Sequence, residues 1–198
     1  MSSTQSTSDS TSSDNQQYPD RQGAHAVLPV SLQMAQEQYE ADEDSDNSPN
    51  MTVVGDGRAV NRVIIVGTLM NVEDIGNTSS NVLRGEIFAG NNTVSVTAGQ
   101  YSQQAQAFLQ DNRDNCLVYV SLTAKINLNH ANETTYVNLD PEDMSTVGGD
   151  EGGMPSAAEQ WLADATNDTL EAVNETLQSL NEGEDTQSLS VWQDNHGR

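Results

Sequence analysis

The sequence predicts an all-β core, a five-stranded barrel that carries one helix between its third and fourth strands. Three observations predict it. Dense Val, Ile and Leu runs are confined to about residues 51–140, two of the later runs alternate with a period of two, and one segment of helical spacing interrupts them at a single place.

Met51 to Val54 opens the core, and Gly55-Asp56-Gly57 reads as a turn. The β-branched run Arg62-Val63-Ile64-Ile65-Val66-Gly67-Thr68-Leu69 predicts the first strand, with Gly67 marking a bulge or bend where a barrel must curl. Leu83 to Phe88 predicts the second strand and Thr93 to Ala98 the third, joined by the hairpin chemistry of Ala89-Gly90-Asn91-Asn92. In the third strand Val94, Val96 and Ala98 share one face, and Thr93, Ser95 and Thr97 the other. Tyr101 to Gln110 changes to helical spacing, with Ala105, Phe108 and Leu109 on one side. Leu117 to Lys125 returns to period two with Val118, Val120, Leu122 and Ala124 inward, and Thr134 to Leu139 supplies the fifth strand. Three strands, a helix, then two strands is the order of the OB-fold.

The flanks differ in composition. Residues 1–50 are expected to form a disordered polar and acidic region. Within it, 26–39 carry Val27, Val30, Leu32 and Met34 too irregularly to assign. The barrel is expected over 51–145, a Gly-rich linker over 146–155, a helical segment over 156–181, and a disordered acidic tail over 182–198. Ser156-Ala157-Ala158-Glu159 has the form of a capping box. The helix after it carries Leu162, Thr166, Leu170, Val173, Leu177 and Leu180 at steps of four and three. Such a stripe suits packing against another helix or the barrel, although Asn167-Asp168 interrupts it.

A formal charge of −23 argues against a nucleic-acid partner until its distribution is read. Between positions 58 and 125 Arg58, Arg62, Arg84, Arg113 and Lys125 balance Glu73, Asp74, Glu86, Asp111 and Asp114, so that segment is formally neutral. The surplus lies in flanking runs such as Glu40 to Asp46 and Glu182 to Asp185. One Lys against six Arg, with abundant Asp, is the composition of a halophilic proteome.

Other classes are excluded or disfavoured. Cys116 stands alone, so no disulfide closes within the chain and no cysteine cluster holds a metal. No run is long or apolar enough to span a membrane, no signal-peptide core opens the chain, and a cytoplasmic location is expected. His25, His130 and His196 are scattered, no nucleophile sits beside a base, and no glycine-rich phosphate loop precedes a helix. Neither catalysis, a cofactor nor a small-molecule substrate is expected.

The faces opposite the core are more informative. Arg62 on the first strand, Arg84 and Phe88 on the second, Tyr119 and Lys125 on the fourth, and Tyr136 on the fifth all point away from it. Tyr101 stands at the junction of third strand and helix. Single-strand binders need this combination, because bases stack on aromatic planes while cations track phosphates. Stacking survives salt, whereas phosphate attraction collapses as the Debye length shrinks to about 3 Å at 1 M. A binder working in high salt therefore needs few lysines. The competing reading is structural, with the aromatics receiving the C-terminal helix and the arginines making surface ion pairs.

These residues also carry a resemblance. Arg58-Ala59-Val60-Asn61-Arg62-Val63, Val66-Gly67-Thr68-Leu69, Val72-Glu73-Asp74-Ile75-Gly76, Ala98-Gly99-Gln100-Tyr101, Ala105 to Leu109, Ala124-Lys125, and Trp161 with Thr166 and Thr169 resemble the replication protein A family proteins of haloarchaea. The resemblance covers about residues 51–175. It implies an OB-fold that binds single-stranded DNA alongside another replication protein A-type subunit, in replication and repair. The chain departs from that family where Ala89-Gly90-Asn91-Asn92 replaces an Asp-Pro-Thr-Gly turn and Ala124 replaces a glycine. Three roles stay open: direct DNA binding, assembly through protein contacts alone, or an OB domain for another ligand.

Overall fold

The computed structural model describes residues 23–35, 37–41, 48–77, 80–90, 92–131, 134–148 and 154–181. The expected disordered ends, most of the acidic linker and most of the Gly-rich hinge lie outside the described residues.

In chain order the elements are β1 (His25–Ala26), α1 (Pro29–Gln33), β2 (Glu37–Glu40), β3 (Asn50–Val53), β4 (Ala59–Val60), β5 (Arg62–Asp74), β6 (Leu83–Ala89), β7 (Asn92–Ala98), α2 (Gln103–Asn112), β8 (Val118–Ala131), β9 (Thr134–Thr146) and α3 (Ser156–Asn181). Five of the strands close the barrel. β5 pairs with β6 and β6 with β7, both antiparallel; β7 meets β9 in parallel; β9 pairs with β8, and β8 returns to β5. With α2 between the third and fourth barrel strands, this is the OB-fold, and it places the expected inward residues Val94, Val96, Ala98, Val120, Leu122 and Ala124 in the core.

Three barrel strands run further than the apolar runs suggested. β5 continues to Asp74 through an irregularity between Leu69 and Asn71, which puts the bulge at Met70 and not at Gly67. Gly67 serves a different need: a Cβ there would stand 2.4 Å from the Phe88 carbonyl oxygen, so only glycine allows β6 so close. β8 and β9 extend as a hairpin in which Asn127 faces Asn138 and Asn129 faces Tyr136. Backbone pairing does not depend on side-chain polarity, so the ladder outlasts the hydrophobic pattern.

The N-terminal segment corrects the sequence reading. Residues 25–40 were expected within a disordered region, yet β1 lies parallel to the start of β5, β2 joins β3 and β4 in a second small sheet, and Val27, Leu32 and Ala35 are buried in the core. A segment with three buried apolar residues has no periodicity to read; its order comes from contacts distant in sequence. Gln38 illustrates this, donating to the Ile126 carbonyl at 3.1 Å.

α3 is one continuous helix through Asn167-Asp168. Its first intrahelical acceptor is the Pro155 carbonyl, which puts the cap position one residue before the Ser156 of the expected box. The helix lies on the barrel through Ala158, Trp161, Ala165 and Ala172, and the Trp161 indole N–H donates to the Ile64 carbonyl at 2.6 Å. The expected stripe is turned the other way: Leu170, Val173 and Leu177 are exposed and Leu162 is half-buried, whereas the side chain of Leu180 lies outside the described residues. Alanines seven residues apart let the helix axis approach the barrel, and leucines there would hold it off.

A polar clasp fixes the same helix. Gly57, at φ +89°, ends the tight turn that follows β3, and the side chain of Asp56 within that turn is 1% exposed. Its carboxylate accepts from Arg58 Nη2 at 2.8 Å and from Thr169 Oγ1 at 3.2 Å, while Arg58 Nη1 reaches Asp168 at 3.1 Å.

Candidate nucleic-acid interface

Register places the aromatic candidates. Tyr119 on β8 lies opposite Thr68 on β5, Thr68 opposite Phe88 on β6, and Phe88 opposite Thr93 on β7. Directly paired residues point to one face of a sheet, so these four form a row around the outside of the barrel. Counting back from the Val96–Leu139 pair brings Tyr136 on β9 level with Thr93, and both line one cavity. Phe88 is 43% and Tyr136 56% exposed, whereas Tyr119 is half-buried against the core. Between Phe88 and Tyr136 run the outward hydroxyls of β7. Thr97 Oγ1 donates to Asn138 Oδ1 at 2.8 Å, joining β7 to β9 where their backbones diverge.

Two apolar residues that the sequence reading missed extend this face. Met70, in the bulge of β5, is 44% exposed, and Leu117, one residue before Val118, is 69% exposed. Leu117 sits at φ +73° while its N–H donates to the Leu69 carbonyl at 2.7 Å. Simple alternation puts both outward, Leu117 with Tyr119 and Met70 with Thr68, but Met70 lies just beyond the apolar run that ends at Leu69.

The basic candidates lie elsewhere and are engaged. Arg62 and Lys125 face each other on β5 and β8, six positions along the strands from the Thr68–Tyr119 pair, or roughly 20 Å at 3.3 Å per residue. Glu142 accepts from Arg62 Nη2 at 2.9 Å and stands 3.8 Å from Lys125 Nζ. The Glu142 hydrogen bond holds the Arg62 guanidinium pKa above its ordinary value, against the opposing effect of burial. Arg84, four positions along β6 from Phe88, pairs with Glu73 across the ladder, and its hydrogen bond keeps the Glu73 carboxyl below the usual range. Tyr101 is 96% exposed in the turn before α2, at the far end of β7 from Thr93. Thus Phe88, Tyr119 and Tyr136 share one row around the barrel, and Arg62, Lys125, Arg84 and Tyr101 lie off that row.

Among the described residues no group of three or more His, Cys, Asp or Glu side chains could hold a metal ion, and no helix is long and apolar enough to cross a membrane.

No protein-family model and no curated protein sequence matches the chain. Solved structures with a similar arrangement include a replication protein A heterotrimer bound to single-stranded DNA, at 12% identity and a TM-score of 0.47 over 76% of this chain and 98% of that one. A single-stranded DNA-binding protein from Thermus aquaticus aligns at 13% identity and a TM-score of 0.36, over 61% of this chain and 60% of that one. The N-terminal domain of the PriB protein from Thermoanaerobacter tencongensis aligns at 11% identity and a TM-score of 0.34, over 45% of this chain and 98% of that one. At these values the fold assignment rests on the chain's own pairing order.

Proposed function

We propose that this chain binds single-stranded DNA along the outer face of its barrel, as an accessory subunit of an archaeal replication protein A-type complex in replication and repair. One observation carries the reading: Phe88 and Tyr136 stand exposed on either side of the uncharged, hydroxyl-lined strand β7. Flat side chains over an uncharged floor suit bases, and each stacked base contributes about 1–3 kcal/mol with little sequence preference. The pairing of Arg62, Lys125 and Arg84 with carboxylates leaves phosphate attraction a smaller part. That balance fits a protein adapted to molar salt in the cytoplasm, as does the acidic composition of the flanks.

The test is fluorescence anisotropy of labelled oligo(dT) with the full chain in molar salt. Phe88→Ala and Tyr136→Ala each weaken binding roughly 5- to 150-fold, the range that 1–3 kcal/mol allows. Binding that survives both substitutions unchanged sinks the proposal.

A second reading has its own observation. Leu170, Val173 and Leu177 form an exposed apolar stripe on α3, opposite the face held by the barrel. This suits a helix of another OB-fold subunit, with the barrel serving assembly. An isolated chain that binds no oligonucleotide but co-purifies with such a subunit, and loses it on Leu170→Asp with Leu177→Asp, favours assembly.

A further inference from the structure

β7 and β9 pair at Val96 and Leu139, and on the Thr93 side of that pair a cavity of about 290 Å³ opens between them, closed on its third side by α1. Leu32 of α1 and Val94, both buried, lie beneath it and supply part of its smaller apolar share. Gln33, Ser95 and Thr135 give it polar walls, and Tyr136 contributes an exposed ring. We propose that this cavity is a nucleobase pocket, one base of a bound strand leaving the row of aromatics to enter it. The proposal rests on the single-strand-binding reading above and gives that site a second, deeper part.

Size and chemistry select the occupant. The cavity lies at the lower edge of the roughly 300–1,000 Å³ of pockets for drug-sized ligands, which suits a single ring system. No charged side chain lines it, so it offers nothing to a phosphate, whereas a mixed lining with uncharged polar groups in the majority and some apolar surface suits a flat uncharged ring with hydrogen-bonding edges. Gln33 supplies fixed polarity. Its Nε2 donates to the Thr93 carbonyl at 2.9 Å and its Oε1 accepts from Asn92 at 2.6 Å. A carboxamide has two N–H donors and two lone pairs, so one of each remains on a group whose orientation is already set. An adjacent donor and acceptor is the pattern by which carboxamides read base edges. The pocket also needs α1, which lies outside the five barrel strands, so the N-terminal segment becomes part of the binding site.

Abasic scanning tests this. Oligo(dT) carrying a single abasic residue, moved one position at a time, is bound to the full chain. A 3- to 10-fold loss peaking at one position is expected. Gln33→Met, checked for folding by circular dichroism, lowers the affinity for intact oligo(dT) by up to the same 3- to 10-fold and flattens that position dependence. Losses independent of position in the wild-type chain overturn the pocket and leave the single-strand reading standing. Should the chain bind no oligonucleotide, the single-strand reading itself fails. Millimolar thymidine and deoxyadenosine are then followed by amide NMR: shifts at Gln33, Ser95 and Thr135 sustain a base pocket, and their absence overturns it.

Discussion

Replacing Asp56 with Ala tests how α3 is held to the barrel. The carboxylate is 1% exposed and accepts from Arg58 Nη2 at 2.8 Å, Arg58 Nε at 3.2 Å, the Arg58 backbone N–H at 3.2 Å and Thr169 Oγ1 at 3.2 Å. Removing one partner of a buried ion pair costs about 3–5 kcal/mol, because the other charge is left without compensation. Arg58 is 17% exposed and keeps Asp168 at 3.1 Å, and Thr169 retains the Ala165 carbonyl as an acceptor, which sets the expected loss at the lower end, about 3 kcal/mol. For a folded unit of this size each kcal/mol lowers the melting temperature by about 2–4 °C, so Asp56→Ala should melt about 6–12 °C below the wild type. The double variant Asp56→Ala with Arg58→Met should lose less than the sum of the two single variants, by about 1–3 kcal/mol, since neither charge then remains alone. Urea and thermal unfolding followed by circular dichroism measure both quantities. A loss below about 1 kcal/mol for Asp56→Ala, or strict additivity, would refute the clasp as the helix anchor.

Glu142→Gln removes the carboxylate that Arg62 and Lys125 share, at the cost of one partly exposed ion-pair network. With about 0.7 of a counter-ion per phosphate contact on single strands, the slope of log affinity against log salt should steepen by up to about 1.4, and an unchanged slope means these cations never meet phosphate. Gly67→Ala forces a methyl group to 2.4 Å from the Phe88 carbonyl oxygen; unfolding experiments should find it destabilised by about 3 kcal/mol or more, because backbone, unlike a flexible side chain, cannot move aside. The Glu73 carboxyl titrates below its usual range because of Arg84. Its contribution to stability is therefore present above the unfolded carboxylate pKa of about 4.3 and is lost as pH falls through the lower folded value. Carbon-13 NMR of that carboxyl should return to an ordinary midpoint in Arg84→Gln.

Legibility followed the range of the interactions involved. The strands and α2 were readable because alternation of Val94, Val96 and Ala98, or of Val120, Leu122 and Ala124, is a local pattern with one burial solution. The outward placement of Phe88 and Tyr136 came from that same alternation. The partners of the basic candidates were hidden, since Glu142 lies 80 residues from Arg62 in sequence and meets it through the β8–β9 irregularity between Thr123 and Ala124. Met70 was passed over because it follows the apolar run that ends at Leu69, while the strand itself continues to Asp74.

The sequence by itself determined the barrel: five strand segments, alternating most clearly in the third and fourth, one helix between those two, and a formally neutral stretch over 58–125 between acidic flanks. Tertiary structure alone decided what surrounds it. It drew β1, α1 and β2 into the fold, burying Val27, Leu32 and Ala35, and turned α3 so that Ala158, Trp161 and Ala165 join the core while Leu170, Val173 and Leu177 face out. The physical reason is common to both. Periodicity says which residues of an element share a face, but the face that is buried is chosen by how closely the backbone can approach its neighbour and by which polar groups, such as Asp56 and Thr169, wait there to be paired.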